Sequence, residues 1–223
     1  TGMHTSQNGR ELSEQLQQLV QHWPVPLQEI SIVAHSMGGL VVRSAAHCAE
    51  AEGAAWRPLL KHIVFLGTPH HGAPLERAGH WVDLVLGSTP YSAPFAKLGQ
   101  LRSAGITDLR YGHVQDTDWL GHDRFHRKPD GRHPLPLPAG VACHTVAATL
   151  TASRSALAQR LLGDGLVPLR SALGQHDDPA LRLAFQPQSQ LTVHGMGHMQ
   201  MLHSARVLKK MTEWLGDQDF EIK

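Results

Sequence analysis

The sequence predicts an α/β protein in which a mostly parallel central sheet is flanked by helices. Residues 30–42 pass from a β-branched apolar run through a sharp turn at residues 35–39 into a helix-compatible stretch, a strand–turn–helix pattern. The strand at 29–34 is apolar on both faces, as expected of a central parallel strand. A length of 223 residues fits one such domain.

The first element is a predicted amphipathic helix at 9–22, in which apolar residues recur at helical spacing. Asn8 and Glu11 are spaced as an N-terminal capping pair, and Pro24 and Pro26 stop the helix. The later elements alternate as an α/β fold requires: a strand at 29–34, a helix at 37–50, strands at 62–66, 141–150 and 190–193, and a C-terminal helix that carries Leu202, Val207, Met211 and Leu215 and stops at Gly216.

This alternation disappears between residues 73 and 140, which predicts an insertion between two strands. Apolar spacing indicates one helix within 75–86 and a short one within 95–101, and residues 111–138 are rich in His, Asp, Pro and Gly. The alternative is an excursion with a purely structural role.

The composition argues against nucleic-acid and membrane partners. The 20 basic and 19 acidic residues leave a formal charge of +1 without a basic run. No apolar stretch has the length needed to span a bilayer. Cys48 and Cys143 lie in apolar contexts and are predicted to be free thiols, which leaves the cellular compartment open.

The turn at residues 35–39 carries the chemistry that the sequence predicts. It departs from a strict G-x-S-x-G pattern because Ala34 replaces the first glycine, but both Ala34 and Gly38 are small enough for a strand to pass directly into a helix. The turn is expected to expose the Ser36 hydroxyl. The Met37 backbone N–H then lies at a helix N-terminus, where it can face a developing oxyanion.

The chain resembles the α/β-hydrolase superfamily, in particular the lipase and esterase branch with an A-H-S-M-G-G turn, and looks like the PGAP1-like hydrolases. The resemblance rests on the Ser36 turn and on three further loops at residues 67–72, 163–168 and 195–198. It implies that Ser36 is the nucleophile, Asp164 the acid and His198 the base, in the chain order of that superfamily. Asp177 and Asp178 are the fallback acids, and His194 and His203 the alternative bases.

The resemblance also implies the surroundings of the site. Met37 would supply one oxyanion N–H, and substrate contacts would come from His35, His70, Leu166 and Val167. The loop at 67–72 lacks the glycine spacing and the lysine of a phosphate-binding loop. The resemblance makes it a tight loop beside the active site, in which His70 is expected to fix loop geometry rather than act as a base.

The insertion looks like the cap of a lipase-type hydrolase, which divides the chain into a core at 1–72, a cap at 73–140 and a core at 141–223. The superfamily places several strands before the nucleophile strand, and only one helix precedes it here. We therefore expect a missing upstream segment, in the same polypeptide or as a cleaved fragment, that completes the sheet. The second oxyanion donor is expected upstream of Thr1.

These features favour a carboxylic ester hydrolase that acts on an ester or lipid through an acyl-enzyme and needs no cofactor. The alternatives are an acyltransferase with the same triad, an amidase or peptidase, and a binding module without catalysis. His122 and His126 could share a helix face, but no H-E-x-x-H motif or cysteine ligand set accompanies them, so solvated histidines are favoured over a metal site.

Overall fold

A four-stranded parallel sheet forms the centre of the described part of the molecule. The computed structural model describes residues 2–73, 104–121, 130–151 and 163–216. The strands are β1 (Ile30–His35), β2 (Leu60–Leu66), β3 (Ala142–Thr149) and β4 (Gln190–His194), in the spatial order β1-β2-β3-β4. All three pairings are parallel. The predicted fold class and the predicted strands are confirmed.

Five α-helices are described, and they flank the sheet. They are α1 (Thr5–His22), α2 (Gly38–Glu52), α3 (Ala104–Asp108), α4 (Leu169–Ala172) and α5 (Ala205–Trp214). Helix α1 begins earlier than predicted, and Asn8 is not its N-cap. The reason is that His4 takes the N-cap position, where its backbone N–H donates to Gln7 Oε1 at 2.9 Å, and the Thr5 N–H donates to Asp108 Oδ2 at 2.7 Å.

The core lies on both faces of the sheet because neighbouring residues of a strand point to opposite sides. Ile63 and Phe65 of β2 pack with α1, α2 and the buried Trp56. Val64 and Leu66 pack on the other face with β3, β4 and α5. Burial of β2 on both faces explains why its sequence is a continuous apolar run.

The described parts of the predicted cap pack into this same core. Leu109, Val114 and Leu135 cluster with Leu40 of α2 and Ala147 of β3. The helices predicted within 75–86 and 95–101, and the histidines at 122 and 126, lie outside the described residues. The domain division at 73 and 140 stays a prediction.

Two further sequence expectations concern cysteines and membranes. Cys48 is half-buried and Cys143 is buried, and both thiols are free, as predicted. None of the helices in the described ranges combines the length and the apolar character that crossing a membrane requires.

Candidate active site

Ser36 lies in a strained turn between β1 and α2. Its φ of 58° makes it the one non-glycine residue with positive φ in the described ranges. Such a conformation costs a residue with a Cβ on the order of 1 kcal/mol, and strain of this kind collects at functional sites. The Ser36 N–H donates to the Leu66 carbonyl at 2.8 Å, which fixes the turn against the end of β2. Met37 is the N-cap of α2, so its N–H lies at a helix N-terminus as expected.

Two details of the turn differ from the prediction. Ser36 is 9% exposed and its Oγ is buried, without a hydrogen-bond partner in the described ranges, whereas an exposed hydroxyl was expected. The close packing is at Gly39 rather than Gly38. A Cβ at Gly39 would lie 2.1 Å from Thr68 Oγ1, while a Cβ at Gly38 would meet nothing within 4 Å.

Asp164 and His198 form a buried pair. His198 Nδ1 lies 2.6 Å from Asp164 Oδ2, and the side chains are 2% and 1% exposed. Asp164 Oδ1 accepts the backbone N–H groups of Leu166 at 3.0 Å and Val167 at 2.8 Å. The His198 N–H donates to the Asp164 carbonyl at 3.1 Å, so the two loops are also joined through their backbones.

The loop after β2 brings the His198 ring beside the Ser36 turn. Gly67 has a φ of 56°, and a Cβ there would lie 3.0 Å from His198 Cε1. Gly67 directly follows Leu66, whose carbonyl binds Ser36. On the other side, the His35 ring lies 4.6 Å from the His198 ring, and His35 Nε2 lies 3.4 Å from the His198 carbonyl. Burial, together with the neighbouring His198, lowers the pKa of His35 to about 4.

The alternative acids and bases lie elsewhere. His194, at the end of β4, and His203 are exposed. Asp177 Oδ1 forms an exposed ion pair with Arg170 at 2.6 Å. Asp178 accepts the Ala180 N–H at the start of a short 3₁₀ helix. Of the candidates, Asp164 and His198 are the acid and the imidazole that contact each other.

The expected substrate contacts at His70, Leu166 and Val167 stay a prediction. His70 and Val167 are 0% exposed and Leu166 is 6% exposed, so these side chains are buried in this structure. Leu166 and Val167 contribute to the site through the backbone N–H groups that hold Asp164. His35, which is half-buried beside His198, keeps a position next to the site.

Sequence reasoning missed a basic cluster behind the 67–72 loop. Arg132 donates to the carbonyls of His70 and Tyr111 and lies 2.9 Å from His71 Nδ1. Arg43 of α2 is 5% exposed, and together with Arg132, His70 and His71 it lines a small cavity. Arg43 stands in an otherwise small and apolar stretch of α2, which was the available signal for a buried cation; nothing in the sequence around Arg132 indicates its partners.

Within the described ranges, no group of three or more His, Cys, Asp or Glu side chains is arranged to hold a metal ion. The histidines at 122 and 126 fall outside those ranges, so the sequence interpretation of that pair stays a prediction.

Comparison with known proteins agrees with this architecture. A family model described as a domain of unknown function, DUF7379, matches residues 2–109. No curated protein matches the chain. The structure is similar to Bacillus licheniformis lipase BlEst2 in its mature form, with a TM-score of 0.54 and 18% identity over 96% of this chain and 75% of that one. It is also similar to the propeptide form, with a TM-score of 0.53 and 16% identity over 100% of this chain and 42% of that one. The chain has an α/β-hydrolase fold.

Proposed function

We propose that this chain is a serine carboxylic ester hydrolase of the lipase and esterase type, in the PGAP1-like branch. Ser36 would be the nucleophile, His198 the base and Asp164 its partner. The observation that carries the proposal is the buried 2.6 Å contact between His198 Nδ1 and Asp164 Oδ2 beside the strained Ser36 turn. A carboxylate on Nδ1 leaves Nε2 as the ring nitrogen that can take a proton.

The mechanism would proceed through an acyl-enzyme. His198 Nε2 takes the Ser36 proton as Oγ attacks the ester carbonyl, and the Met37 N–H at the start of α2 stabilises the oxyanion. The tetrahedral intermediate collapses, the C–O bond to the alcohol breaks, and His198 returns the proton to the leaving alcohol. Water activated by His198 then attacks the acyl-enzyme and releases the carboxylic acid and Ser36. Asp164 stays ionised and stabilises the imidazolium in both halves.

The outer edge of β1 supports a second part of the proposal, that a further segment completes the sheet next to the site. In the described ranges β1 pairs with β2 alone. Val33 of β1 is 45% exposed, whereas its register partner Val64 of β2 is 0% exposed. An unpaired strand edge beside an uncovered apolar face favours an added strand. We propose that this segment is an upstream part of the polypeptide or a cleaved fragment, and that it supplies the second oxyanion N–H.

Intact mass of the purified, active protein tests the second part. One oxyanion donor is worth about a hundred- to a thousand-fold in turnover, so the active form should contain more than this chain. Full activity from a single species of 24.4 kDa would refute an added segment. The loop at 67–72 would then be the first place to seek the second donor.

Hydrolysis of a p-nitrophenyl ester series of increasing acyl length tests the main proposal. Ser36→Ala and His198→Ala should each lower kcat by roughly 10⁶-fold while circular dichroism stays unchanged. A fluorophosphonate probe should label Ser36 in the wild type. An acceptor alcohol separates hydrolysis from acyl transfer, because a transferase would yield the new ester. Near-normal turnover by Ser36→Ala would refute the nucleophile.

A further inference from the structure

The structure contains a small cavity beside the loop that follows β2. Arg43, His70 and Arg132 line it together with His71, His133 and apolar residues, and it has room for little more than one water-sized group. None of Arg43, His70 and Arg132 takes part in the proposed reaction. Their polar atoms raise a separate question, because buried donors without partners are rare in native proteins.

In each guanidinium group the Nε is buried and has no hydrogen-bond partner among the described residues. Arg43 donates from Nη2 to the Leu135 carbonyl at 2.6 Å, but its Nε is buried and has no hydrogen-bond partner in the described ranges. The side chain of Arg132 is 5% exposed, and its terminal nitrogens contact backbone carbonyls and His71 Nδ1. Its Nη2 also lies 3.2 Å from Asp130 Oδ2. Its Nε is likewise buried without a partner.

His70 adds a third donor. It is 0% exposed, and neither ring nitrogen has a hydrogen-bond partner in the part of the chain that the structure describes. Its ring packs against Phe65 at 4.8 Å and Phe185 at 5.4 Å between centroids, neither of which accepts a conventional hydrogen bond. A buried N–H left in this state costs about 1–3 kcal/mol. The cavity that His70 lines offers space for a partner that would remove that cost.

The nearby carboxylates do not neutralise Arg43 directly. The two carboxylate oxygens of Asp118 accept hydrogen bonds from the backbone N–H groups of Val114, Gln115 and His133. Asp130 pairs with Arg132. Within the described ranges no carboxylate oxygen lies within 4.0 Å of the Arg43 guanidinium, although Asp118 attracts it from farther away.

We propose that this cavity binds a monatomic anion such as chloride, held by Arg43, Arg132 and His70. A halide accepts hydrogen bonds from all three donors and has no hydrogens of its own to place. A water molecule has two lone pairs, so it could serve both guanidinium groups only by donating a hydrogen to the unprotonated ring nitrogen of His70, whereas a halide accepts from all three residues. An anion also separates two like charges. Burial first, and then the charge of Arg132, lowers the pKa of Arg43 to about 10, so Arg43 is a cation at neutral pH.

The anion would act on the loop rather than on the reaction. Arg132 holds the His70 carbonyl, and the same loop carries Gly67, against which the His198 ring packs. Filling the cavity would therefore stabilise the fold around the site without any contact to the Ser36 hydroxyl. This inference does not depend on the proposed function.

Unfolding of the full chain in sodium chloride and in sodium gluconate at equal ionic strength tests the site. Gluconate is too large for the cavity, so a specific site predicts a saturable stabilisation by chloride alone. At a chloride concentration about 100 times Kd, the folding equilibrium constant should rise about 100-fold. Identical unfolding curves in the two salts would overturn the proposal.

Two variants localise the effect. Arg43→Met should abolish the difference between chloride and gluconate, whereas Arg170→Met, which removes an exposed guanidinium paired with Asp177, should keep it. If Arg43→Met fails to fold, wild-type crystals grown in sodium bromide decide the question. An anomalous peak between Arg43 and His70 supports the site; a water there without anomalous signal, or bromide at surface positions only, overturns it.

Discussion

Two buried polar clusters contact the loop at 67–72, and they are built differently. In the first, both oxygens of Asp164 are bonded, one to two backbone N–H groups and the other to His198. In the second, Arg43, His70 and Arg132 each keep a buried nitrogen without a partner in the described ranges. The carboxylate of the first cluster is fully hydrogen-bonded by the protein itself, whereas the cations of the second cluster keep donors that the described residues do not satisfy.

The difference teaches which cluster serves which purpose. A carboxylate fixed by its own turn can hold an imidazole in one orientation, which is what proton transfer requires. Unsatisfied buried donors contribute nothing to that chemistry but make folding sensitive to whatever fills the cavity. Disturbing the first cluster should therefore change turnover at nearly constant stability, and disturbing the second should change stability.

The largest effect that separates the clusters is expected from Asp164→Asn. The amide keeps the shape and can still accept from Leu166 and Val167, but it no longer presents a charged acceptor to His198 Nδ1. We expect kcat for a p-nitrophenyl ester to fall roughly 10⁴-fold with little change in the unfolding midpoint. Asp177→Asn and Asp178→Asn are the matched controls and should stay active. If one of them were inactive while Asp164→Asn stayed active, the role of the acid would have to be reassigned to that residue.

Next in size is the effect of Arg132→Met on stability. This change removes a guanidinium that donates to the carbonyls of His70 and Tyr111 and pairs with Asp130. Leaving buried acceptors without their donor costs about 1–3 kcal/mol each, so urea unfolding should show a loss of about 3 kcal/mol. Arg10→Met is the control, because the Arg10–Asp116 pair is exposed and worth about 0–1 kcal/mol. A similar small loss for both variants would contradict a structural role for the basic cluster.

The same contrast explains what sequence could predict. The strands and the Ser36 turn were predictable because short-range constraints produce them, namely apolar runs and small residues around the turn. Asp164 and His198 were identified through the resemblance to a known superfamily. The basic cluster was not, because its members come from α2, the β2 loop and the segment at 130–135, and no local pattern joins them. The burial of Leu166 and Val167 was also missed, since a family likeness identifies positions near a site but not whether backbone or side chain acts there.

A smaller effect is expected at Gly67, which lies in the loop that both clusters contact and packs against the His198 ring. An alanine at this position must adopt a φ of 56°, and its Cβ would lie 3.0 Å from both His198 Cε1 and Met201 Cε. These contacts are too short, so the His198 ring would be displaced from its position. We expect kcat to fall about 10- to 100-fold, since small misplacements of a catalytic group have effects of this order.

Gly53→Ala is the control for backbone strain alone. Gly53 has a φ of 65°, and a Cβ there would meet nothing within 4 Å. Both alanine variants should lose about 1–2 kcal/mol of stability, and only Gly67→Ala should lose turnover. Equal activity of the two variants would show that packing against Gly67 does not position the His198 ring.

The smallest expected effect concerns His144 of β3, which belongs to neither cluster. It tests how much a buried histidine without hydrogen bonds contributes to the pH dependence of stability. Its ring is buried between His62 and Trp214, with neither nitrogen bonded to any described residue. Burial, followed by the nearby His62 and Lys210, lowers its pKa to about 4 from an unfolded value of 6.5. Between these pH values the unfolded chain binds more protons than the folded one. The contribution of neutral His144 to the free energy of unfolding is therefore complete above pH 6.5 and is lost as pH falls toward 4.

Replacement of His144 with Phe keeps a ring against Trp214 and removes the titration. From about pH 7.5 to about pH 5 the wild type should therefore lose about 2 kcal/mol more unfolding free energy than His144→Phe. If the wild type and His144→Phe lost the same unfolding free energy over this pH range, solvent would have to reach His144 in the folded state. The free-energy cost of a buried N–H without a partner, assigned above to His70, would then not apply to His144.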